Sequence, residues 1–222
     1  MKKVLVIAPH PDDETLGCGG TLLRHLAEGD EVHWLIATTM EGSSAYSLDV
    51  IQQREREISQ VASEYGFNSY SQLPFAAAKL DKVPCSDFIA AISDKLSELQ
   101  PEVLYLPYRN DVHSDHAFVF DAAIAAAKTF RAPWVHSIYA YETLSETEFG
   151  LRPDDSGFRA NLFISIEAYL EKKLSILQIF KDEMGIFPFP RSTECVKALA
   201  ILRGSQSGFH AAEAFMLLKE MR

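Results

Sequence analysis

Two short clusters gather the side chains best suited to chemistry. The first, in A-P-H-P-D-D-E, holds His10, Asp12, Asp13 and Glu14 within five positions. The second, in R-N-D-V-H-S-D-H, follows about 100 residues later with Asp111, His113, Asp115 and His116. Imidazole nitrogen and carboxylate oxygen together suit zinc or another divalent first-row metal. A catalytic metal site needs three protein ligands and an open position, and two histidines and one acid from these clusters can supply them. A carboxylate left over can take a proton from water, and a histidine left over can hydrogen-bond a developing oxyanion. The inventory fits metal-assisted hydrolysis better than other reaction classes. Asp12 and Asp13 would also suit a helix N-cap.

The surrounding pattern says how the clusters could meet. Lys3 to Ala8 is apolar without alternation, as in a strand buried on both faces. A helix is expected over Thr15 to Ala27 and a second strand over Glu31 to Thr39, which makes a right-handed βαβ unit. Further helices are expected over Asp49 to Tyr65, Ser86 to Leu99, Ala117 to Phe130, Glu167 to Phe180 and Thr193 to Leu202. Further strands are expected over Asn68 to Leu73, Val103 to Leu106, Ser137 to Tyr141 and Phe163 to Ile166. After a turn at Gly204 to Gly208, Ala211 to Met221 reads as a last helix. The alternation predicts one domain over residues 1–222, a three-layer αβα fold with a Rossmann-like, mostly parallel sheet. Both clusters follow buried strands, and the carboxyl ends of parallel strands open on one edge, where such folds bind ligands.

Composition narrows the partners. With 21 basic and 31 acidic residues the net charge is −10, a poor match for nucleic acid phosphates or anionic membranes. No apolar run approaches the length of a membrane span. The three cysteines are widely spaced and odd in number, which suits reduced thiols in a cytoplasmic protein. Gly17, Gly19 and Gly20 look like a phosphate loop, but the acids before them would repel phosphate. Close packing of helix on sheet is the better reading. His25, His33, His136 and His210 read as ordinary structural histidines. Self-association is left open.

P-H-P-D-D-E with a later H-S-D-H resembles the PIG-L/LmbE-like family of zinc-dependent N-deacetylases, which act on N-acetylglucosamine-containing conjugates. The resemblance extends over most of the chain and includes R-x-x-E at Arg54 and Glu57. It implies His10, Asp13 and His116 as ligands of Zn²⁺ and Asp12 as the base on water. It implies His113 as a protonated partner of the tetrahedral intermediate or the departing amine, oriented by Asp115, with Glu14 structural. The substrate would be a small N-acetylated sugar or glycoconjugate. Arg54, Arg109, Asn110 and Asp111 are candidate substrate contacts. Arg54 could instead form an exposed pair with Glu57, Arg109 could be a solvated loop charge, and Asp111 could brace its loop. Residues 141–148 could form a substrate lid. The loop 187–192 sets aromatic rings beside Arg191 and could meet a sugar, clamp a loop or contact another subunit. Two other readings stay open: a metal-dependent hydrolase of a phosphoester or non-sugar amide, and a non-catalytic module holding a structural metal. A closed four-ligand site would favour the last of these.

Overall fold

A computed structural model describes residues 1–41, 46–151 and 154–222. Among the described residues, seven strands form one sheet in the order β3-β2-β1-β4-β5-β7-β6. β1 (Lys3–Ala8), β2 (Glu31–Ile36), β3 (Ser69–Gln72), β4 (Val103–Pro107) and β5 (Ser137–Tyr141) pair in parallel. β7 (Ala212–Glu220) runs antiparallel between β5 and the edge strand β6 (Leu162–Ser165). The central strands earn their place by composition: Val4 to Ala8 and Val103 to Pro107 are wholly buried and apolar. α1 (Asp13–Ala27), α2 (Leu48–Tyr65) and α5 (Leu170–Leu177) cover one face, and α3 (Cys85–Leu99) and α4 (Ser114–Ala126) the other, each burying its own core. α6 (Thr193–Ser207) packs on β7. This is the expected three-layer, mostly parallel architecture. Among the described residues, no helix is long and apolar enough to cross a membrane.

One element differs in kind. Residues 212–220, expected within a last helix, form β7. Ala, Glu, Met, Leu and Lys are good helix formers, but the gap between β5 and β6 offers hydrogen bonds on both sides of the segment. Two ladders outweigh a weak local preference. The turn expected at Gly204 to Gly208 is instead the last turn of α6, closed by Gly208 in the left-handed conformation. β2 stops at Ile36 rather than Thr39, and α4 begins at Ser114, so His116 lies in its first turn.

The three early glycines do serve packing. A Cβ on Gly17 would lie 2.2 Å from the Tyr141 ring, and one on Gly20 2.6 Å from Ile166. They let α1 lie against the sheet where β1 delivers the first cluster.

Candidate active site

β1 and β4 are parallel neighbours, with Val4 opposite Val103 and Val6 opposite Tyr105. Their carboxyl ends therefore release the two clusters side by side. Beyond β1 the chain is held by its carbonyls: the Thr38 hydroxyl donates to the Pro9 oxygen (2.7 Å) and Arg54 Nη1 to the Pro11 oxygen (3.2 Å). Asp12 follows with φ 140°, a backbone conformation rare outside glycine. Its N–H donates to buried Glu14, which also accepts from the Thr15 hydroxyl. Glu14 thus holds the turn, and burial pushes its carboxyl up to about 8.

The rings of His10, His113 and His116 converge, with centroids 4.5 Å apart for His10 and His113 and 5.7 Å for the other two pairs. Asp13 Oδ2 lies 3.4 Å from His10 Nδ1 and 3.4 Å from His116 Nε2. The outward nitrogen of each imidazole meets another carboxylate: His10 Nε2 and Asp115 Oδ2 are 3.1 Å apart, His116 Nδ1 and Asp111 Oδ2 2.7 Å. Asp111 is fully buried and also accepts from the Thr147 hydroxyl, so it braces His116 and the loop after β5.

These carboxylates favour positive charge between them. Burial opposes protonation of His10, but hydrogen bonds to Asp115 and Asp13 overcome it and raise the ring to about 9. Burial likewise opposes His116, and the charge of Asp13 with the bond to Asp111 carries it to about 10. Asp13 itself is held well below the usual carboxylate range; burial works against this, and the His116 charge outweighs it. Burial and the neighbouring Asp13 charge push Asp12 up to about 7 against the pull of Arg191.

The donor set fits a divalent cation. His10, Asp13 and His116 can present one atom each within 4.8 Å of one another, as can His10, His113 and Asp115. Among the described residues, the buried His116 Nε2 has no hydrogen-bond partner. Nitrogen and oxygen ligands about 2.0–2.1 Å from a tetrahedral ion stand about 3.3 Å apart, close to the 3.4 Å found on both sides of Asp13. Carboxylates behind both imidazoles match the way protein metal sites fix their histidines.

Two expected details change. The backbone N–H of Asp115 donates to His113 Nδ1 (3.1 Å), so that nitrogen carries no proton and the ring is neutral, with its proton on Nε2. Burial and the nearby His10 charge also lower His113. The Asp115 carboxylate hydrogen-bonds His10 and the Ala78 N–H, and it is the Asp115 main-chain N–H that hydrogen-bonds the His113 ring. The cause is position: His113 is the N-cap of α4, and its side chain turns back onto the first turn.

A cleft of about 700 Å³, counting its open mouth, lies above this centre. His10, Asp12, Arg54 and His113 line it, with Tyr46, Gln72, Glu146, Glu183 and Arg191. Arg54 is buried, not exposed; it pairs with Glu57 (3.4 Å) and Glu183 and lies over the Phe180 ring. Arg109 and Asn110 are not brought to the cleft: Arg109 makes a two-pronged ion pair with Asp121 on the surface, at 2.6 and 2.9 Å. Gln72, Glu146 and Glu183 carried no motif or spacing that could have singled them out. Arg191 was visible only as part of an aromatic loop, and residues 141–148 only as a cover; Ser145 and Glu146 meet Arg191 at the cleft.

The mostly parallel αβα sheet thus carries a histidine–carboxylate cleft at the carboxyl edge of its strands. Residues 5–127, more than half the chain, match the PIG-L family, described as GlcNAc-PI de-N-acetylase, and the chain belongs to that family. It is 29% identical over 187 residues to the uncharacterized deacetylase YaiS of Escherichia coli (strain K12), covering 82% of this chain and 91% of that one. It is 25% identical over 231 residues to the diacetylchitobiose deacetylase of Thermococcus kodakarensis, covering 96% and 82% respectively. The crystal structure of the conserved protein TT1542 from Thermus thermophilus superimposes with a TM-score of 0.80 at 28% identity, covering all of this chain and 97% of the other.

Proposed function

We propose that this PIG-L deacetylase hydrolyses the acetamide of an N-acetylated amino sugar or sugar conjugate, releasing acetate and a free amine, with a divalent first-row cation, Zn²⁺ foremost, at His10, Asp13 and His116. The observation that carries the reading is the pair of imidazoles flanking Asp13 at 3.4 Å, each backed by its own carboxylate. Deacetylation is also what the family and the named relatives have in common.

When bound, such a cation polarises a carbonyl and acidifies water. The remaining work falls to the chain. Asp12, buried at the cleft wall, takes the proton of the attacking water; a carboxylate raised toward neutrality is a stronger base. His113 offers Nε2–H to the oxyanion, and the proton taken up by Asp12 passes to the leaving nitrogen. Asp115 and Asp111 hold His10 and His116 in the tautomers that point their other nitrogens at the cation. Arg54 holds the turn through the Pro11 carbonyl.

The test is a panel of N-acetylated sugars and conjugates assayed for acetate, with protein loaded with zinc or stripped by chelator. Release should be chelator-sensitive. Asp12→Ala should lower the rate by about 10²- to 10⁴-fold while metal content stays unchanged. Full activity in that variant would sink the base assignment, and no chelator-sensitive acetate from any member would sink the function.

A further inference from the structure

We infer that Arg191 is a positioning residue for Asp12, through which the chain after β5 and the chain between α5 and α6 together aim the base. This rests on the proposed role of Asp12. Arg191 enters the cleft from residues 178–192, far in sequence from both clusters. Its Nη1 donates to Asp12 Oδ2 (2.7 Å) and Glu183 Oε2 (2.8 Å), its Nε donates to Ser145 Oγ (2.7 Å), and Nη2 lies 3.5 Å from Glu146 Oε1. Only a planar fork of donors satisfies acceptors arranged this way, which a lysine ammonium cannot copy.

Asp12 requires such a tether. With φ at 140° its backbone sits where a side chain is rarely found, and it stays there only if its surroundings impose it. Those surroundings form a closed chain of contacts. Arg54 grips the Pro11 carbonyl, one residue before the base. Glu183 bridges the two guanidiniums, Oε1 to Arg54 and Oε2 to Arg191. Arg191 then grips the carboxylate itself. The base is fixed at its main chain and at its side chain by two arginines joined through one glutamate.

The contacts also assign the oxygens. Arg191 engages Oδ2, and Oδ1 stays outside that ion pair. Glu183 and Glu146 keep the guanidinium in place when Asp12 becomes neutral, so the carboxyl group does not swing during turnover.

The experiment compares wild type with Arg191→Ala, Arg191→Lys and Arg191→Gln, the last serving if alanine is not tolerated. With metal content equal in all, Arg191→Ala should lose about 10- to 100-fold in kcat, the scale of a small misplacement of a reacting group, and KM should move less than about threefold. Guanidinium chloride at millimolar concentration should restore part of the rate to the alanine variant and none to wild type, and lysine should fall between. In an Asp12→Ala background, Arg191→Ala should cost nothing further, because the two act as a unit. A raised KM at unchanged kcat would make Arg191 a substrate contact instead, and full additivity with Asp12→Ala would also overturn the inference. Crystal structures decide it without substrate: in Arg191→Ala the Asp12 carboxylate should leave its present rotamer, and an unmoved carboxylate would refute the positioning role. If wild type releases no acetate from the panel, the deacetylase reading fails, and the crystal comparison still decides what holds Asp12.

Discussion

At the scale of single residues, the site is ordered by which nitrogen of each histidine is already engaged. His116 gives Nδ1 to Asp111 and keeps Nε2; His10 gives Nε2 to Asp115 and keeps Nδ1; His113 gives Nδ1 to a main-chain donor and keeps a proton on Nε2. Three identical side chains thereby present different free atoms to the cleft, which is the division of labour that the proposed function requires. The sequence shows only that histidines and acids are near one another. The tautomers depend on partners up to 105 positions away. Asp111→Asn should expose this dependence: the imidazole stays, its carboxylate backing goes, and affinity for zinc should fall about 10- to 100-fold in a chelator competition titration. Unchanged affinity would mean that Asp111 serves only its loop.

Among the elements, α1 shows how the first cluster is supported. Its dihedrals break at Cys18, with φ −141° and ψ 18°, so the helix is two segments that meet at a kink. One buried ion pair splices them. Lys173 of α5 donates to the Leu16 carbonyl ending the first segment, and Glu213 of β7 accepts from the Gly20 and Thr21 N–H groups opening the second. Lys173 Nζ and Glu213 Oε1 are 2.6 Å apart, with side chains 4% and 5% exposed. Removing one member strands the other's charge in the core, which costs about 3–5 kcal/mol. Lys173→Met should therefore lower stability by that amount in urea unfolding at pH 7.5. The loss should exceed that from Lys172→Met, where the lysine side chain is 43% exposed and paired at the surface. Glu213 also shows why β7 eluded sequence reading: a charged residue amid helix formers gives no hint that it is buried as a strand residue opposite Ile164.

At the scale of the whole molecule, the sheet separates chemistry from a structural network at its other end. The cleft opens at the carboxyl ends of the strands. At the amino ends, His25 joins the tail of α1 to Asp30 (2.8 Å) and to the Tyr105 hydroxyl of β4 (2.9 Å). Burial lowers His25 below the usual histidine range, against the pull of Asp30. The unfolded chain therefore binds a proton more readily there than the folded one. Stability from this group is present above about pH 6.5 and is lost as pH falls through the folded value. Relative to His25→Gln, wild type should lose more of its urea midpoint between pH 7.5 and pH 5.5. A parallel decline in both proteins would show that His25 does not titrate in this window.

What the sequence alone determined was local or periodic. Unbroken apolar runs marked β1 and β4 as buried strands, strand–helix alternation implied a parallel sheet, and P-H-P-D-D-E and H-S-D-H stood at the ends of those strands. The carboxyl ends of parallel strands open on one edge, so the two clusters could face one crevice; that β1 and β4 are direct neighbours was decided by the fold. Tertiary structure decided everything that depends on a partner without a fixed sequence offset. It put Arg191 and Glu183 beside Asp12, the Asp115 carboxylate behind His10, Arg109 out on the surface, and residues 212–220 into a strand slot. The physical reason is one and the same. Burial and hydrogen-bond satisfaction act between segments brought together by the sheet, and they override local preference wherever a side chain or strand edge would otherwise be left unpaired.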